Sequence, residues 1–236
     1  MPHALITGAS EGLGRALAFE LARRGWSLTV DARRPEQLES TAEALATLTS
    51  VRAISGDVGE QDHRRQLVAA VADAGGVDLV INNASDLGGS PLPQLRDLEP
   101  AAYEQLLRTN VVAPQQLIRS LLRGLSPHAV IINVSSDAGV EHYEGWGGYG
   151  SSKAALDHQT STWAAEEPDF TWYSLDPGDM RTAMHQAAFP GEDISDRPEP
   201  EAVAPIIIAL IDSGLPSGRY RAADLATTLA AQLESA

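Results

Sequence analysis

The 236-residue chain contains no cysteine, which excludes disulfide frameworks, thiolate nucleophiles, thiolate-bound zinc and iron–sulfur clusters. Its six histidines form no HExxH-type pair, and no SxxK motif is present to support a serine hydrolase. Basic residues are scarce. Seventeen Lys and Arg stand against 32 Asp and Glu, giving a formal charge of -15, and such a surface repels nucleic acid phosphate and anionic lipid. Long apolar runs are missing too. Met1-Pro2-His3 leads directly into Ala4-Leu5-Ile6-Thr7-Gly8 with no basic and apolar leader, and no window reaches membrane-spanning length. The expectation is a soluble, cytoplasmic protein without nucleic acid or membrane partners.

The scarcest charged residue is lysine: sixteen of the 17 basic residues are Arg, and Lys153 is the single exception. Arginine is a permanently charged planar fork, whereas lysine is a compact point charge that can share a proton. A lone lysine in an arginine-biased chain therefore asks for a chemical reason, against the plain alternative of one surviving surface lysine.

What is present is a hydrophobic content of 43%, enough for one substantial core and a single domain over residues 1–236. Short β-rich runs, Ala4–Thr7, Ser27–Val30, Val51–Ile54, Val77–Ile81, Ala129–Val134 and Thr171–Leu175, alternate with helical segments Arg15–Arg24, Glu36–Leu48, Gln61–Ala72, Ala101–Arg123 and Ser151–Glu166. Alternation of this kind builds an α/β, doubly wound domain with a central parallel sheet and helices on both faces. Pro114 is expected to kink the fourth helix. Ser217–Arg221 reads as a seventh strand, with a helical alanine-rich tail after it. The irregular stretches 86–100 and 179–200 leave strands at the carboxyl edge, where such sheets bind ligands, and are expected to be substrate-facing loops.

The first strand runs into Thr7-Gly8-Ala9-Ser10-Glu11-Gly12-Leu13-Gly14 and then a helix, so backbone amides and the helix N-terminus converge on a negative group. Further along, Tyr149 and Lys153 stand four apart at the start of a helix and share a face. A nearby ammonium, together with any positively charged ligand ring brought against it, favours tyrosinate and lowers its pKa toward working pH. Such a tyrosine can donate a proton to a carbonyl or take one from an alcohol.

The TGxxxGxG spacing of the first turn, Asp57-Val58, Asn82-Asn83-Ala84-Ser85, Asn110, Ser135-Ser136, Tyr149-Gly150-Ser151-Ser152-Lys153 and Pro177-Gly178 through Thr182 occur in one order from residue 4 to about 182. In this ordered set the chain resembles a classical short-chain dehydrogenase/reductase. The resemblance implies a Rossmann fold with a sheet of about seven strands and an NAD(P)(H)-dependent oxidoreductase acting on a small carbonyl or alcohol. It assigns catalysis to Asn110, Ser136, Tyr149 and Lys153, with Asn110 holding a water that links Lys153 to solvent. It assigns the dinucleotide to Gly8, Ser10, Glu11, Gly12, Leu13, Gly14, Asp57, Val58, Asn83, Ala84 and Ser85, to Tyr149 and Lys153, and to Pro177, Gly178, Met180 and Thr182. Asp57 would bond the adenine amine, although an Asp-Val after a strand also serves as a helix cap.

At the adenosine end Ala32 occupies the position of the acidic residue that holds an NAD ribose, with Arg33 beside it. This favours NADP(H), with NAD(H) possible; Asp31, expected to face the other way, and Glu11 weigh against it. Ser85 replaces the glycine of the family's NNAG pattern, for which a small adjustment is expected. His142, Tyr143, Trp146, Met184, His185 and Phe189 are candidate pocket residues. The resemblance also implies a homodimer or homotetramer through Ala101–Arg123 and Ser151–Glu166. The alternative function is a dinucleotide-binding sensor or scaffold without turnover, against which the complete Asn110, Ser136, Tyr149 and Lys153 set weighs.

Overall fold

The computed structural model describes residues 1–225 and 227. Its strands and helices alternate: β1 (His3–Ile6), α1 (Gly12–Arg23), β2 (Ser27–Ala32), α2 (Pro35–Ala46), β3 (Val51–Ser55), α3 (Gln61–Asp73), β4 (Val77–Asn82), α4 (Pro100–Leu107), α5 (Ala113–Leu121), β5 (Leu125–Val134), α6 (Gly147–Glu166), β6 (Thr171–Asp176), α7 (Ala183–Ala188), α8 (Pro200–Asp212) and β7 (Gly218–Arg221). The seven strands form one sheet in the order β3-β2-β1-β4-β5-β6-β7, and all six pairings are parallel. Chain order reverses between β1 and β4, and the carboxyl ends of these strands open the crevice where a doubly wound sheet binds its ligand.

The sheet is covered on both faces, so its central strands are largely apolar: β1 and β4 are almost wholly buried. One core gathers Ile6, Leu17, Leu21, Ile81, Ile132, Tyr173 and Ile207. The other gathers Leu5, Val80, Leu117, Ile131 and Trp172, with Trp163 stacked on Trp172 at 5.6 Å between ring centroids. Alternating residues of one strand thus feed opposite layers. A buried polar chain crosses the second layer: Asn82 Nδ2 donates to Asn133 Oδ1 (2.8 Å), and Asn133 Nδ2 donates to Thr160 Oγ1 (2.8 Å). It registers β4, β5 and α6 against one another.

Three expectations are corrected. The long helix anticipated over Ala101–Arg123 is two helices separated by a π turn over Arg108–Val112. Pro114 has no N–H to return to the carbonyl of Asn110 four residues earlier, and the ladder widens there. The stretch 179–200 is not irregular throughout, because Thr182 Oγ1 accepts from His185 N (3.1 Å) and starts α7. Helix α8 escaped the sequence reading behind its prolines; Pro200 opens it at a position where no N–H is needed, and Val203, Ile207 and Leu210 bury its inner face. The expected seventh strand is β7. Residues 222–225 of the alanine-rich tail are helical, and the remainder of that expectation lies outside the described residues. Among the described residues no helix is long and apolar enough to cross a membrane.

Candidate active site

A cleft of about 720 Å³ runs along the carboxyl edge of the sheet, large for a single small substrate. Its floor is the turn between β1 and α1. Gly8 and Gly12 adopt φ of 70° and 54°, conformations a residue with a Cβ resists. A Cβ on Gly14 would press into the Gly8 carbonyl and the Asn83 amide. Asn83 clamps the turn, its Nδ2 donating to Thr7 O (2.9 Å) and Gly8 O (3.0 Å). Thr7 Oγ1 in return accepts from Asn83 N (3.0 Å) and Ala84 N (3.1 Å). Asn83 lines the cleft as well as shaping the turn with its amide, and Thr7 is a partner that the sequence reading passed over. Glu11 precedes α1 without a side-chain cap, so the first amides of the helix keep their donors for an anion.

Asp31 completes the clamp from behind. It is 1% exposed, accepts from Gly8 N through Oδ1 (2.8 Å), and its Oδ2 lies 2.9 Å from His63 Nε2. Burial raises its carboxyl above the usual range, while the bonds to His63 and Gly8 pull it back. Asp31 borders the cleft, and both of its carboxylate oxygens are committed, one to the turn and one to His63. Ala32, Arg33, Arg34, Asp57 and Val58 line the same end of the cleft. Arg34 pairs with Glu11, a contact not anticipated from sequence. Asp57 Oδ1 accepts from Gly59 N (2.7 Å) in the turn before α3, whose N-cap is Glu60 without a side-chain cap, so Asp57 does not cap that helix.

The Tyr149 and Lys153 pair lies in the first two turns of α6, both side chains buried. Lys153 Nζ donates to Val134 O (2.7 Å) and lies 5.4 Å from the centre of the Tyr149 ring. Burial lowers the Lys153 ammonium to about 8, and Asp157 draws it back up. Burial pushes the Tyr149 phenol up. The Ser85 and Ser136 hydroxyls pull it down, whereas the carboxylates of Asp137 and Asp176 push it further up. Of the chain's own groups burial therefore prevails, opposite to the lowering expected from a lysine and a nicotinamide cation together.

Ser136 follows β5 by two residues, and its Oγ both donates to Asp137 Oδ1 (3.0 Å) and accepts from Ala138 N (3.2 Å). Neighbouring Ser135 Oγ is buried without a partner. Asn110, in the π turn, has a fully committed side chain: Oδ1 accepts from Asp86 N (2.7 Å) and Ser85 Oγ (3.2 Å), and Nδ2 donates to Asp86 O (2.8 Å) and Ser152 Oγ (3.0 Å). Pro177 and Gly178 follow β6, with Gly178 N donating to Asp176 Oδ1 (3.0 Å). Met180 and Thr182 line the cleft with Ser85, Leu87, Asp137, Trp146, Met184, His185 and Ala188. Trp146 packs on Tyr149 and Phe189 at 5.7 Å each, and Tyr143 on Asp137 through its hydroxyl (3.0 Å). His142 is exposed and does not reach this wall. Ser90 Oγ donates to Ala187 O (2.7 Å), joining the stretch 86–100 to α7 over the cleft.

The cleft fits a dinucleotide phosphate on its own geometry: uncapped helix amides, glycines whose Cβ would fill the turn, and two arginines at the far end. A family model described as short chain dehydrogenase matches residues 2–193. Sepiapterin reductase of Xenopus laevis is 32% identical over 204 residues, 78% of this chain and 75% of that protein. The short-chain dehydrogenase/reductase FrzI of a Cladobotryum species is 34% identical over 168 residues, covering 69% of this chain and 63% of its own length. A solved short chain dehydrogenase from Shigella flexneri complexed with NADP superimposes with a TM-score of 0.87 at 28% identity, covering 94% of this chain and 96% of that one. The chain belongs to the short-chain dehydrogenase family of NAD(P)-dependent oxidoreductases.

Proposed function

We propose that this protein reduces a small carbonyl compound, or oxidises the matching alcohol, with Tyr149 as the general acid/base and NADP(H) as the preferred dinucleotide. The carrying observation is Tyr149 beside the buried Lys153, with Ser136 lining the same cleft as the glycine turn. When bound, the nicotinamide supplies or accepts the hydride. Tyr149 gives its proton to the substrate oxygen in reduction and removes it in oxidation. Ser136 turns its hydroxyl from Asp137 to that oxygen as negative charge develops. Lys153 keeps positive charge beneath the phenol and holds the nicotinamide ribose. Asn110 fixes the π turn, where a water links Lys153 to solvent. A Tyr149→Phe variant is expected to lose about 10²–10⁴-fold in kcat on any accepted carbonyl; retained turnover would remove Tyr149 as the proton donor.

Arg33 supports the cofactor preference, since Ala32 offers no carboxylate to a ribose and Asp31 is committed elsewhere. The NADPH-dependent pterin aldehyde reductase of Arabidopsis thaliana, 30% identical over 165 residues, bears the same preference in its name. Arg33→Ala should weaken NADPH binding about tenfold and NADH little, measured by titration of each; equal losses would sink the phosphate pairing.

The stretches 86–100 and 179–200 form the substrate wall in this reading. Their lining is apolar at Leu87 and Met184 and acidic at Asp179, with Asp137 after β5 beside them; among the described residues Lys153 is the one Lys or Arg lining that end, and Arg197 lies 3.5 Å from Asp179. A neutral or amino-bearing carbonyl fits this wall better than a carboxylate or phosphate ester. An NADPH-oxidation screen over aldehydes, ketones and diketones tests it, and a preference for anionic substrates would overturn it. A homodimer or homotetramer through the α4–α5 and α6 faces completes the reading; a monomer by light scattering would refute it.

A further inference from the structure

Position 31 is an anomaly of the fold: a carboxylate in β2, a strand whose last five residues are all buried. A buried carboxylate persists only where donors meet its oxygens. The Asp31 backbone carbonyl accepts from Ala9 N (2.8 Å) and its Oδ1 from Gly8 N (2.8 Å), both in the glycine turn. Its Oδ2 lies 2.9 Å from Nε2 of His63, which stands in the first turn of α3. An ionised carboxylate only accepts, so Nε2 carries the hydrogen and donates.

The same imidazole reaches a second part of the cleft. It lies against Gly56, where a Cβ would run into Nδ1 and Cγ of the ring, and Gly56, Asp57 and Val58 line the cleft beside Ala32 and Arg33. Arg64, next on α3, donates to Val58 O (2.6 Å). His63 itself is buried and stands behind these residues, outside the cleft lining.

We infer that His63 is a positioning residue for the dinucleotide, holding the glycine turn through Asp31 and the Gly56–Val58 wall by direct packing, without touching the ligand. The inference rests on the glycine turn being the phosphate cradle. Without the imidazole, Asp31 Oδ2 is a buried acceptor with no donor. The carboxylate then either takes up a proton, which exchanges its charge-assisted bond from Gly8 N–H for a weaker neutral one, or turns away from Gly8. Either change loosens a residue that the turn holds at a φ of 70°. The charged groups acting on Asp31 are His63 from α3 and Asp57 after β3, and the Asp57 carboxylate opposes its charge. His63 is thus the side-chain donor that offsets a negative charge placed directly behind the amides meant for a phosphate.

His63→Leu removes the donor and keeps apolar bulk, whereas His63→Gln keeps an amide N–H in place of Nε2. NADPH dissociation constants from fluorescence titration should rise about tenfold in Leu and return to within about threefold of wild type in Gln, while kcat at saturating NADPH falls less than about twofold. In an Asp31→Asn background His63→Leu should add about twofold at most, because the route through the carboxylate is already cut. Unchanged affinity in Leu, no recovery in Gln, or full additivity with Asp31→Asn overturns the inference. The wild-type protein supplies a test that no folding defect obscures. NMR signals of the His63 ring should shift on addition of adenosine 2′,5′-bisphosphate and stay in place on addition of nicotinamide mononucleotide. A ring that ignores the bisphosphate overturns the inference as well. Weakened binding in Gly14→Ala beside wild-type affinity in His63→Leu would defeat the His63 role alone. Wild-type affinity in Gly14→Ala would defeat the underlying reading.

Discussion

Lys153 carries a measurable cost that follows from its position. Its ammonium is 2% exposed and lowered by burial to about 8 from an ordinary 10.5. Between those two pH values the unfolded chain binds a proton that the folded protein has released, so stability rises with pH across that window and is diminished below it. Replacing the lysine by methionine, of similar volume, removes the cost but leaves the Val134 carbonyl without its donor. Since a shift of this size corresponds to about 3 kcal/mol and one lost hydrogen bond to about 1 kcal/mol, Lys153→Met should be more stable by about 2 kcal/mol at pH 7. The advantage should shrink toward pH 10.5 while activity is lost throughout. Denaturant unfolding of both proteins at the two pH values checks this, and a variant less stable at neutral pH would contradict it. Tyr149 and Lys153 were legible in the sequence because their relation is local, four residues along one helix. The Asp31 and His63 pair was not, since 32 residues separate them and only the packing of α3 behind β2 brings them to 2.9 Å.

Among the elements, the β1–α1 turn is the most readable, because its glycines are required by backbone geometry. Gly14 tests that claim, since a Cβ there meets the Gly8 carbonyl and the Asn83 amide, and neither can yield without loosening the clamp on the turn. Gly14→Ala should cost about 2 kcal/mol in unfolding free energy and weaken dinucleotide binding by at least tenfold. Thermal unfolding and a fluorescence titration measure the two; wild-type affinity in the variant would show that the turn is not the phosphate cradle. The π turn between α4 and α5 was only half readable. Pro114 announces an irregularity, but its location at Arg108–Val112 depends on Asn110 reaching back to the chain after β4. Helix α8 was hidden by Pro200 and Pro205 although its inner face is as apolar as any in the protein. Local punctuation outweighed a tertiary surface that only α1 reveals.

At the scale of the whole molecule, the last strand closes the site that the earlier ones begin. Arg219 on β7 donates to the Ser136 carbonyl (2.9 Å) and to Asp157 Oδ2 (3.0 Å), and lies 3.5 Å from Asp176 Oδ2. Those partners lie just after β5, one turn beyond Lys153 on α6, and at the end of β6. One guanidinium thus ties together the three elements that carry Ser136, the Tyr149–Lys153 pair and the Pro177–Gly178 turn, a task suited to its rigid fork of donors. Asp176 is raised by burial and relieved by Gly178 N–H and Arg219, so removing the arginine leaves a buried carboxylate with less support. Arg221 remains near it at 3.5 Å but is exposed, and compensates little. Arg219→Met should therefore lower unfolding free energy by about 2 kcal/mol and kcat about tenfold, as the substrate half of the cleft loses its register. The dinucleotide half is held separately by Asp31, Thr7 and Asn83, so NADPH affinity should change less than twofold. If affinity instead falls together with kcat, the two halves of the cleft are one cooperative unit, and the tie made by β7 is global rather than confined to the chemistry.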